Sequence, residues 1–174
     1  MRSLCCLFLA LTACSDSVTT GVDAPAGPDA YDTARCLITG HYGALGALTG
    51  TTTQGPTTLT ITLDAGPPRD TLFLKLNAGK GVFAGGLANG TYTLSGDDLD
   101  FNNCGLCVNL IADIVAMQGP SKFYFATAGS VTLTNTSPPT GTLADVTFSE
   151  VTLAGAPVAG GCSASIDSLA FSAL

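Results

Sequence analysis

Thr57-Thr58-Leu59-Thr60-Ile61-Thr62-Leu63 alternates threonine with an aliphatic residue from Thr58 onward. Side chains that alternate with a period of two point to opposite faces of a strand, so this stretch reads as a half-buried strand with Leu59, Ile61 and Leu63 inward and its threonines toward solvent. The same grammar returns in Leu72, Leu74 and Leu76, in Tyr92 and Leu94, in Leu99 and Phe101, in Phe123 and Phe125, and in Val131 and Leu133. Asn89-Gly90 supplies the positive-φ residues of a tight turn, and Ala128-Gly129 and Pro138-Pro139-Thr140-Gly141 punctuate later strands. Ala144, Val146 and Phe148 share a phase that Val151 and Leu153 break, and Ile166 conflicts with Leu169 and Phe171. Each switch suggests a bulge or bend, with the extra residue at Ser149-Glu150 and at Asp167-Ser168. The apolar run from Cys107 to Ala116 suits a buried strand or a short helix, and strand is preferred. With 11% charged residues and 21 glycines, the chain is poor in helix formers and rich in strand and turn formers. The expectation is an all-β fold, an antiparallel β-sandwich with a barrel-like arrangement as the alternative, and little or no helix in the mature domain.

The first residues serve a different purpose. Arg2 precedes the short apolar run Leu4-Cys5-Cys6-Leu7-Phe8-Leu9-Ala10-Leu11, which is too short to cross a bilayer and has the layout of an export signal. Leu11-Thr12-Ala13-Cys14 resembles the lipobox of bacterial lipoproteins. That resemblance implies a signal peptide over residues 1–13 and an acylated, palmitate-bearing Cys14 as the first residue of the mature chain. The alternative is a plain secretory signal that leaves Cys14 an ordinary thiol. Stable attachment takes more than one acyl chain, each CH₂ contributing about 0.8 kcal/mol, so a multiply acylated cysteine would anchor the chain to a membrane without spanning it. In lipoproteins of enteric bacteria an aspartate directly after the cysteine signals inner-membrane retention. Ser15 stands there in this chain, which implies the outer membrane, with the domain on its periplasmic or cell-surface face. Residues 14–35, broken by Pro25 and Pro28, read as a flexible tether with a span on the order of 25 Å, and residues 36–174 as a single β domain.

Without the leader the chain carries five basic and thirteen acidic residues, and Lys75, Lys80 and Lys122 are scattered, so nucleic acid is excluded as a partner. Four cysteines, Cys36, Cys104, Cys107 and Cys162, fall in the domain of an exported chain and suggest two disulfides, with three connectivities open. Gly105 favours a local Cys104–Cys107 bridge, which would leave Cys36 to pair with Cys162. A redox reading of Cys104-Gly-Leu-Cys107 lacks the βαβ setting such motifs need, and a zinc reading lacks paired ligand spacings, His41 being the one histidine.

Asp98, Asp100 and Asn102 alternate along what reads as one strand face, with Leu99 and Phe101 opposite, and form the candidate calcium ligands. The run begins like an EF-hand loop but has Asn103 and Asn109 where that loop needs glycine and glutamate. The bland alternative is a solvated strand face. No Gly-x-Ser-x-Gly elbow accompanies His41, and Asp98 with Asp100 would be the pair for glycoside cleavage in a chain with no tryptophan. No catalytic residues are assigned and no enzyme is expected. Tyr42, Tyr92 and Tyr124 are candidate contact residues for a protein or glycan ligand. Of these, Tyr92 is expected inward with Leu94, and Tyr124, opposite in phase to Phe123 and Phe125, exposed.

Beyond the leader, Cys104-Gly-Leu-Cys107-Val, Phe123-Tyr-Phe, Gly129-Ser-Val-Thr-Leu, Val146-Thr-Phe-Ser-Glu-Val-Thr-Leu and Pro157-Val-Ala-Gly-Gly-Cys162 resemble β-rich outer-membrane lipoproteins of predatory and social Gram-negative bacteria, over roughly residues 90–171. That family carries no activity to transfer. The expectation is therefore a membrane-anchored extracytoplasmic lipoprotein with a structural or binding role, without cofactor; the alternative is a calcium-dependent protein- or carbohydrate-binding module.

Overall fold

The structure, a computed structural model, describes residues 41–64, 68–117, 120 and 122–174. The leader, Cys14, the tether and Cys36 lie outside the described residues. The strands are β1 (Ala44–Thr52), β2 (Thr58–Asp64), β3 (Arg69–Leu76), β4 (Gly90–Thr93), β5 (Leu106–Ile114), β6 (Lys122–Thr136), β7 (Pro139–Val151) and β8 (Ser163–Ala173). Among the described residues the helical elements are two 3₁₀ turns, Gly81–Phe83 and Gly96–Leu99.

The chain is all-β, and the barrel-like alternative is the one it adopts. The sheet order β4-β6-β5-β3-β2-β1-β8-β7, with β6 also pairing β7, closes seven strands into a ring and leaves β4 outside it. Going round the ring, each strand is antiparallel to the next until β8 meets β1, and that pair is parallel. An odd number of strands requires this, because strict alternation brings the last strand back pointing the same way as the first. The wholly antiparallel expectation fails at this one seam. Strand β4 joins the edge of β6 that β5 vacates: β5 pairs with Lys122–Phe125, and β4 with Ser130–Leu133.

Leu59, Ile61, Leu72, Leu74, Val108, Leu110, Ile166 and Leu169 all point inward and are fully or almost fully buried, as a small barrel filled by its own side chains demands. At Asp167-Ser168 the phase switches, both residues being exposed between buried Ile166 and Leu169 with their amides donating to the Gly43 carbonyl, but the extra residue is not there: the β7–β8 register runs unbroken and the shift lies in β1, between Ala44 and Ala47. The extra residue expected at Ser149-Glu150 is not there either. Pairing of β6 with β7 is continuous from Phe123–Val151 to Ala126–Phe148, and the strands bend instead where Gly129 and Asp145 take positive φ. Val151 therefore faces outward.

The two ends of the barrel differ. Where β3 finishes and β5 begins, Phe83 is fully buried in the main core, its ring 5.0 Å from that of Tyr92 in an edge-to-face arrangement. Truncating this ring removes both transfer energy and packing, so Phe83→Ala is expected to cost about 3 kcal/mol, read as a lowered urea midpoint at unchanged m-value.

At the opposite end the interior is polar. Tyr42 donates to Asp70 Oδ2 at 2.8 Å, and the Asp113 amide donates to Asp70 Oδ1 at 2.8 Å. Burial drives the Asp70 pKa above the ordinary carboxylate value, against the lowering effect of those two hydrogen bonds, with the Asp113 and Asp64 charges adding to the rise. The folded state therefore favours the protonated form more than the unfolded chain does. The stability it contributes is fully present below the unfolded carboxylate value and is lost as pH rises through the elevated folded one. Asp70→Asn is expected to flatten that fall in a melting-temperature profile taken from pH 3 to 7.

Candidate binding groove

The outside of the barrel between β3 and β7 is apolar, and the register shows why. Phe73, Asn109, Phe125 and Ser149 form one row across four strands, and Thr71, Ile111, Phe123 and Val151 form the next. The row between them, Leu72, Leu110, Tyr124 and Glu150, points into the barrel. Tyr124 is accordingly buried at 2% exposure, and burial pushes its phenol pKa well above normal, with the Glu150, Asp113 and Asp70 charges adding to the shift. The expectation of an exposed Tyr124 is thus inverted: the barrel takes the tyrosine and turns the two phenylalanines outward. They are tolerated there because a second small core, made of Cys104, Cys107, Phe125 and Val151 with Phe123 against it, covers that face.

The cover is the segment that carries Asp98, Asp100 and Asn102. These residues do not line one strand face: Asp98 lies within the 3₁₀ turn Gly96–Leu99, and the chain turns on through Asn103. Asp98 is 1% exposed and accepts the backbone amides of Val82 (3.1 Å), Gly105 (2.8 Å) and Leu106 (2.9 Å). Three amides converging on one carboxylate favour the turn over the extended form that the alternation predicts. Asp100 accepts the Asn102 amide at 2.9 Å and Asn103 Nδ2 at 2.7 Å, and these hydrogen bonds hold its carboxyl below the ordinary range. Asn102 offers its carbonyl to Lys80 Nζ at 2.9 Å. Among the described residues no three His, Cys, Asp or Glu side chains converge as metal ligands.

The Cys104–Cys107 disulfide, with its Cα atoms 5.2 Å apart, fixes the end of this segment. Gly105 inside it is required by close approach: a Cβ there would run into the Lys80 carbonyl. Cys162 is also disulfide-bonded and accepts a hydrogen bond from buried Lys122 Nζ at 3.3 Å. The predicted pairing of Cys162 with Cys36 falls on a residue outside the described set.

Held this way, Phe101 stands over Phe125, ring centroids 5.6 Å apart and 72° between planes, and Gly155 passes so close that a Cβ would meet its ring at 2.6 Å. On one side of Phe101 opens a groove of about 220 Å³, walled by Phe73, Ile111, Phe123 and Leu153. On the other lies a hollow of about 260 Å³ that shares Phe101 and Val151. The groove contains one orphan: Asn109 Oδ1 is buried and has no hydrogen-bond partner. An amide in that state costs folding energy, and because the side chain is only partly buried at the groove wall, a small turn would bring the oxygen to a donor from outside.

Phe101, Phe123 and Leu153 appear in the sequence as core alternation, whereas Asn109 and Phe73 carry no local signal. The available clue was Phe123-Tyr124-Phe125, three aromatics in a row, which cannot all face one side of a strand. Among the described residues no helix is long and apolar enough to cross a membrane. No protein-family model, no curated protein and no solved structure matches this chain.

Proposed function

We propose that this protein is a lipid-anchored, non-catalytic binding module of the outer membrane, tethered through acylated Cys14, and that its outer groove takes a single sugar ring of a glycan. The observation that carries the reading is the orphan Asn109 oxygen in a groove walled by aromatic rings. A sugar offers apolar C–H faces to stack on phenylalanine and hydroxyl donors to satisfy a buried acceptor, and about 220 Å³ suits one ring. Gln54 and Thr152 at the same groove add donors and acceptors for the remaining hydroxyls.

The calcium-dependent alternative makes a different demand, because it needs the oxygens of Asp98 and Asp100, which instead accept amides of their own chain. A glycan array probed with the soluble domain, with and without EDTA, tests both readings. Binding that persists in EDTA and disappears in Phe123→Ala supports the groove; binding abolished by EDTA supports the calcium module. No glycan bound in either condition overturns the sugar reading.

A further inference from the structure

Opposite Asp70, strand β5 contains one residue too many. Arg69 pairs with Ile114 and Thr71 with Ile111, so Ala112 and Asp113 together face the single residue Asp70. Such a bulge lets Asp113 follow Ala112 toward the barrel interior instead of alternating outward, and Asp113 takes φ 55° there. Its carboxylate is deeply buried, with 3% of the residue exposed, and neither oxygen has a hydrogen-bond partner. Tyr42, Asp70 and Tyr124 surround it closely enough that the Asp113 charge raises the proton affinity of all three, in each case after burial as the larger cause. Lys122, the one buried cation among the described residues, donates to Cys162 Sγ rather than to Asp113.

We propose that the polar mouth of the barrel binds a hard cation of the calcium class between Asp113 and Asp70. The donors available are oxygens alone: both carboxylate oxygens of Asp113, the carboxylate of Asp70, and the phenol oxygens of Tyr42 and Tyr124. Oxygen-only donor sets select calcium-like ions over zinc or copper, which prefer imidazole and thiolate. Two carboxylates match a divalent charge, and the cation supplies the partner that both Asp113 oxygens lack. Tyr42, by donating its proton to Asp70 Oδ2 at 2.8 Å, holds that carboxylate in place and leaves its own lone pairs directed away from the bond. This site is separate from Asp98 and Asp100, which belong to the groove cover.

The two tyrosines provide the test, since the chain has no tryptophan and terbium bound beside a phenol is excited through it. Terbium titrated into the full chain is expected to give saturable emission on excitation of tyrosine, displaced by calcium. Asp113→Asn, whose side chain suits the positive φ, is expected to weaken apparent affinity at least tenfold, whereas Asp100→Asn leaves it within twofold. Calcium is likewise expected to raise the melting temperature of the parent chain by several degrees and that of Asp113→Asn not at all. Absence of saturable emission from the parent chain, or Asp113→Asn binding as tightly as the parent, overturns the site. Loss of emission in Asp100→Asn would also overturn it, by placing the ion in the groove cover. Should Asp113→Asn fail to fold, Tyr124→Phe decides: reduced terbium emission supports the site and undiminished emission overturns it.

Discussion

Asp98→Ala is expected to destabilise the barrel by about 4 kcal/mol or more, the largest single loss for any side chain of the groove cover. The carboxylate is 1% exposed and receives three backbone amides, from Val82, Gly105 and Leu106. Hydrogen bonds to a charged acceptor are each worth about 1.5–3 kcal/mol, and alanine would leave the Gly105 and Leu106 amides without their acceptor in buried surroundings. The loss spreads because the amides belong to different elements. Val82 lies in the 3₁₀ turn that inserts Phe83 into the core, whereas Leu106 begins β5 and Gly105 immediately precedes it. Gly81 is tied to the same group, since a Cβ there would run into Asp98 Oδ1. Asp98→Asn keeps one acceptor oxygen and presents an NH₂ where the other stood, so an intermediate loss of about 2 kcal/mol is expected. Urea denaturation in calcium and in EDTA checks the cause. A structural carboxylate gives the same loss in both, whereas a calcium ligand gives a loss that disappears in EDTA.

That carboxylate marks the boundary of what the sequence makes legible. Leu59 and Ile61, Leu72 and Leu74, and Val131 and Leu133 sit where their alternation places them, because a strand buried on one face obliges its side chains to keep a period of two. Leu99 and Phe101 show the same alternation and form no strand. What decides their conformation is the bonding of the Asp98 carboxylate, just ahead of them in the chain, to the amides seven and eight residues further on, a competition that no alternation pattern records. Tyr124 fails for a related reason. Apolarity alone sends Phe123 and Phe125 inward, but their outward placement depends on a cover made from Cys104, Cys107 and Val151, distant in the chain. The parallel seam between β1 and β8 was equally hidden. Strand grammar shows that strands exist, whereas the parity of the ring depends on β4 standing outside it.

Asn109→Leu is expected to do what few substitutions in a binding groove do, namely stabilise the fold by about 1 kcal/mol while reducing glycan affinity at least tenfold. The amide oxygen is buried without a partner, between Phe73 and Phe125 on the neighbouring strands. Removing an unsatisfied polar group from such a site recovers part of its desolvation cost of about 1–3 kcal/mol, and leucine keeps the branched four-atom outline of asparagine, fills more of the open groove beside it and suits a strand better. If the position served only the fold, nothing would favour asparagine over an aliphatic residue there. A chain that bears this cost in an aromatic groove behaves as binding sites commonly do, where local stability is given up for a group held ready for its ligand. The two measurements separate the possibilities. A raised melting temperature with lost glycan binding assigns Asn109 to the ligand, whereas a lowered melting temperature shows that the amide oxygen is satisfied within the fold and removes the observation on which the groove reading rests.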